Sequence, residues 1–91
     1  MSLAVANSEA VILSRAIEPH DGNLSPDAAR SLLQIKLPGT DRRRLHELAE
    51  KAAQATLTSE EERELENYRN VGRLLELLKS KARLSLKNLP A

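Results

Sequence analysis

Residues 58–86 read as one helix of nearly thirty residues carrying an apolar stripe. At about 1.5 Å per residue it would be about 43 Å long. A compact chain of this size is roughly 30 Å across, so one monomer cannot enclose such a helix. It has to protrude, break, or pack against a second chain. That points to interaction rather than catalysis.

Composition narrows the remaining choices. A chain of 91 residues makes one domain and buries only about 60–65% of its unfolded surface, so association would help to stabilise it. Tyr68 is the sole aromatic residue. Aliphatic side chains must therefore fill the core, and the stacking platform that single-strand binders offer to bases is missing. The absence of cysteine excludes disulfides and thiolate metal sites. Met1 to Ile17 has no basic start and is interrupted by Asn7, Ser8 and Glu9, so it does not read as a signal peptide. No run approaches the roughly 18 apolar residues of a membrane span. A cytoplasmic location is the default expectation. With a net charge of +1 there is no overall field to attract a polyanion, and any charge argument must be local.

The apolar spacing predicts an all-α fold of four helices, at about 3–17, 26–36, 41–56 and 59–84. The first carries Leu3, Ala6, Ala10, Leu13 and Ile17 on one face, widened by Val11 and Ile12, and stops at Glu18-Pro19 because the residue before proline avoids the helical region. Ser25-Pro26-Asp27 opens the second helix with a capping hydroxyl, a proline suited to the first helical position and an acid that complements the helix dipole. Ala28, Ala29, Leu32 and Leu33 form its buried side, and Pro38-Gly39 closes it. Thr40 or Asp41 caps the third helix, whose stripe is Leu45, Leu48, Ala49, Ala52 and Ala55. Thr58 and Glu61 have the spacing of a capping box, so the third and fourth helices should form an antiparallel hairpin. In the fourth helix Leu65, Tyr68, Val71, Leu75, Leu78 and Ala82 alternate steps of three and four, as in a coiled-coil seam. Gly72 interrupts it at a cost of about 1 kcal/mol. Close approach of a facing helix is the preferred explanation, and a kink is the alternative. From Arg83 to Lys87 the residues alternate with period two, and helix or extended arm stays open beyond Leu84.

Two basic groups stand out. Arg42, Arg43 and Arg44 occupy the first turn of the third helix, where cations oppose the dipole. Arg43 can pair with Glu47, whereas Arg42 and Arg44 lack a local partner. Either acids from other helices neutralise them or they dock an acidic partner or phosphate. Lys79, Lys81, Arg83 and Lys87 lie near a helix C-terminus, where the dipole favours them without any ligand. If both groups converged they would make a nucleic-acid surface. His46-Glu47-Leu48-Ala49-Glu50 is one residue short of the zinc-peptidase pattern, and a solvated His46/Glu50 pair is the simpler reading. Glu18, His20 and Asp21 are turn chemistry or a cation site. No nucleophile elbow or glycine-rich phosphate loop is present, so neither a catalytic residue nor a cofactor or metal is assigned.

Arg44-Leu45-His46-Glu47-Leu48-Ala49-Glu50-Lys51, followed by Leu57-Thr58-Ser59-Glu60-Glu61-Glu62 and Tyr68-Arg69, resembles the helical hairpin of a group of small bacterial helical proteins. These share a basic-x-x-E-L-A-x-K helix, then L-T-x-E-E, then a charged second helix. The likeness runs from residue 8 to residue 87. It implies an accessory or antitoxin-like role in which a small helical protein restrains a neighbour, such as an HNH-type nuclease encoded nearby. The resemblance fixes no active residue.

From the residues themselves the expectation is a non-enzymatic interaction module that forms a homodimer or binds a helical partner. Tyr68, Val71, Leu75, Leu78 and Ala82 would bury apolar area, and Arg42, Arg43 and Arg44 would steer the encounter. The alternative is a small nucleic-acid binder using Arg42–Arg44 and Lys79–Arg83.

Overall fold

The computed structural model describes residues 7–89 and is all-α, with four helices and no strand among those residues. We number them α1 (Glu9–Ile17), α2 (Pro26–Leu33), α3 (Gly39–Ala53) and α4 (Ser59–Lys87). The described chain groups into two compact units. Residues 7–35 and 73–89 form one, and Lys36–Gly72 the other.

In the first unit, α1 starts behind Ser8, whose Oγ accepts the Val11 amide at 3.2 Å. Of the helix expected over 3–17, the described part starts at Glu9, and the expected positions 3–6 lie outside the described residues. Its end after Ile17 is where the proline places it, with Glu18 in the left-handed region at φ 52°. Leu13 and Ile12, expected on the dry face, are instead 48% and 49% exposed, and Ile17 is the buried residue of α1.

Ser25 caps α2 as its sequence demands, accepting the Ala28 amide at 3.2 Å. The helix closes at Leu33, three residues before the expected 36. There the Gln34 amide reaches Ser31 O and the Ile35 amide reaches Leu32 O, both at 3.1 Å, a 3₁₀ tightening that ends the helix. Proline also pushes the preceding Leu37 out of the helical region. Ala29 of α2 and Ala82 of α4 are fully buried, and the polar residues Lys81 and Ser85 are buried as well, at 7% and 3% exposure.

The helical run of α4 continues through Ser85 to Lys87, so the period-two alternation does not mark an arm. Ser85 explains part of this. Its hydroxyl donates to Lys81 O at 2.8 Å and accepts the Leu24 amide at 3.1 Å. Close backbone approach occurs at Gly22, where a Cβ would meet Leu84 side-chain and backbone atoms at 2.9 and 3.0 Å. At Gly72 nothing lies within 4 Å of the Cβ position, so no facing helix of this chain approaches there.

The second unit is built around Leu48, fully buried, and Leu65, 4% exposed. Burial of side chains this size stabilises by about 1.5–3 kcal/mol each. Helix α3 starts at Gly39 and stops at Ala53 instead of running 41–56. Its N-cap is Pro38 with no side-chain cap bond, so neither Thr40 nor Asp41 caps it. At the other end the Thr56 amide bonds Lys51 O at 2.9 Å and the Ala55 amide bonds Ala52 O at 3.1 Å, with Ala55 at φ 57°. This is a Schellman closure carrying alanine where glycine is usual. Ala55 is thereby outside the helix and exposed, and Ala49 is exposed as well, so both leave the expected stripe.

The capping box is complete. The Thr58 amide donates to Glu61 Oε1 at 3.0 Å, and the Glu61 amide donates to Thr58 Oγ1 at 3.1 Å. Beyond it, Lys51 meets Glu61, Arg44 meets Glu64, and Asp41 meets Tyr68. These links pair successively earlier residues of α3 with later residues of α4.

Candidate interaction face

The sole aromatic side chain organises an apolar surface of the second unit. Tyr68 Oη donates to Asp41 Oδ1 at 2.8 Å. Asp41 is therefore occupied as an anchor for Tyr68, which explains why an acid in the first turn of α3 does not cap it. The bond to the carboxylate, together with partial burial, raises the phenol above its ordinary range. The ring, Leu37 and Val71 line an open depression of about 370 Å³ edged by Asp41, Glu64 and Asn67. Val71 is 42% exposed, so this patch presents aliphatic and aromatic carbon to solvent from a fixed frame.

Charge in the frame is largely spoken for. Arg44 grips Glu64 with two nitrogens, at 2.9 and 2.8 Å, and reaches Glu47 at 3.2 Å and Glu61 at 3.7 Å. The partners raise the Arg44 guanidinium's affinity for its proton, the Glu64 bond first, and Arg44 in turn lowers Glu64. The guanidinium fork suits a carboxylate better than any point charge would. Lys51 lies 2.6 Å from Glu61, and that bond, helped by the Thr58 amide, lowers Glu61 to about 2. Acids of α4 thus neutralise one of the three arginines. Arg44 pairs with Glu47 in place of the expected Arg43.

Arg42 and Arg43 stay exposed, and among the described residues no ion pair involves them. They line a second shallow depression with Gly39, His46 and Glu47. His46 and Glu50 form an exposed pair at 3.6 Å. Among the described residues no group of three His, Cys, Asp or Glu side chains gathers as a metal set would.

The other expected contact residues fall in the first unit, and the two halves of the seam differ. Leu75 and Leu78 are half-buried there. Ala82 is fully buried within its own chain and has no surface left for a second one. The C-terminal basic group is also dispersed. Lys81 Nζ donates to Ile17 O at 2.7 Å and Glu18 O at 3.4 Å, and Arg83 bonds Glu76 at 2.6 Å and Ser80 at 3.4 Å. The Lys81 contact is a feature that the sequence does not announce. Its only signal is a lysine four residues before a serine on a helix face, which is common.

No protein family, curated protein or solved structure matches this chain.

Proposed function

We propose that this chain is a non-enzymatic protein-interaction module, and that Leu37, Tyr68 and Val71 form its docking face. The observation that supports this reading is the exposed apolar patch held in place by the Tyr68–Asp41 bond and the Arg44–Glu64 fork. A rigid aromatic anchor beside exposed aliphatic carbon is the kind of surface that carries binding energy between proteins. The first occupant to test is a second copy. Arg42 and Arg43, exposed on α3, would steer an acidic partner. An accessory or antitoxin-like role in a bacterial cytoplasm, as the resemblance implies, would use the same face.

Light scattering on a size-exclusion column across a dilution series tests the self-association. A two-chain mass that falls to one chain in Val71→Glu supports it, because an exposed position can take the charge without loss of the fold. A single-chain mass at every concentration overturns it.

A second reading, binding of nucleic acid, draws on Arg42, Arg43 and Lys79. It is weakened by the burial of Lys81 and the pairing of Arg44 and Arg83. Duplex affinity that falls steeply with salt would favour it, and no binding at low salt would remove it.

A further inference from the structure

We infer that α1 is a strap that opens as a unit, while the segment from Gly22 to Leu24 and residues 73–87 of α4 stay packed together, and that opening releases the Lys81 side chain to water. Three features of the closed strap carry this. First, α1 holds little apolar surface inside. Ile17 is its one buried residue, whereas Ile12 and Leu13 face outward at about half exposure. Elements with few buried apolar contacts are the ones that open locally.

Second, the strap is fastened by a buried ammonium group. Lys81 is 7% exposed and rests on the carbonyls of Ile17 and Glu18, and among the described residues no ion pair involves it. Carbonyl dipoles at a helix C-terminus attract a cation, yet a buried charge without a counter-ion forgoes much hydration. Opening restores that hydration, so the fastening resists release less than apolar packing would.

Third, the hinge is strained in the closed form. Glu18 sits at φ 52°, where a side chain crowds the backbone, and release of α1 lets it return to an ordinary conformation. The anchor beyond the hinge has none of these weaknesses. Gly22 packs directly on Leu84, and the Leu24 amide bonds Ser85. The chain is thus firmly attached at Gly22 and Leu24 and loosely attached over Glu9–Ile17.

Amide exchange of the full chain, followed by mass spectrometry at low denaturant, tests this, with amine acylation of Lys81 read in parallel. The expected result is that amides of Leu13–Ile17 are at least tenfold less protected than those of Leu78–Leu84, with a shallower denaturant dependence. Lys81 acylation should follow the α1 exchange, and exposed Lys36 should react at once. Glu18→Gly, which removes the strain, should slow α1 exchange and Lys81 acylation together by several-fold. Equal protection and equal denaturant slopes in α1 and α4 would overturn the inference. So would Lys81 acylation that follows the exchange of Leu78–Leu84.

Discussion

Tyr68 and Asp41, 27 positions apart, are joined by a 2.8 Å hydrogen bond in which the phenol is the donor. The bond needs a protonated phenol, since the phenol is the donor. Its consequences can be read without interference, because the chain has no other aromatic residue.

The phenol should therefore titrate above the ordinary tyrosine range. A group raised in the folded state contributes stability at pH below its unfolded value and loses that contribution as pH rises through the folded value. Ultraviolet absorbance of the single tyrosine should show a midpoint above that of the unfolded chain, and Asp41→Asn should move it back toward that value. An unchanged midpoint in Asp41→Asn would mean the bond does not form in solution.

Glu61 should control acid sensitivity. Its carboxyl is lowered to about 2 by Lys51 and the Thr58 amide, so its stabilisation is full above the unfolded value near 4.5 and is lost as pH falls toward 2. Glu64, lowered by Arg44, acts in the same sense. In thermal melts Glu61→Gln should be less stable than the parent at pH 7, and the two curves should converge as pH approaches 2. A gap that stays constant with pH would assign the loss to packing.

The two glycines should respond in opposite directions to alanine. At Gly72, in open space within α4, Gly72→Ala should stabilise by about 1 kcal/mol. At Gly22 the added methyl meets Leu84 backbone at 3.0 Å, so Gly22→Ala should destabilise by about 1–3 kcal/mol, as overpacking does. Denaturant midpoints of the two variants check both signs, and equal shifts would contradict the placement of one of them.

How legible this fold was depends on which physical interaction decides each feature. Ser25 and the Thr58/Glu61 box were readable because a cap is made within four residues of sequence. Pro38-Gly39 is ambiguous in the sequence because the same dipeptide can follow one helix or precede the next, and here Pro38 is the N-cap of α3. The end of α3 was hidden because Ala55 adopts a conformation that its side chain does not advertise. In the candidate face, Tyr68 and Val71 were readable from periodicity. The partner of Tyr68 was not, since Asp41 has equal claim to a local cap until the tertiary bond is seen. Lys81 looks like available surface in the sequence because the carbonyls it reaches come from more than sixty positions away, and no local pattern marks the burial of Ala82.

The Lys81 fastening also bears on how relatives of this chain would look when aligned. Its acceptors are main-chain carbonyls, which every residue type supplies, so the contact itself asks nothing of the side chains at 17 and 18, which answer instead to burial at Ile17 and to the left-handed backbone at Glu18. The lysine would stand constant with no side chain at its acceptor positions changing in step with it. That pattern is ordinarily taken as the mark of a residue that touches a ligand, and here it would record the closure of a helix.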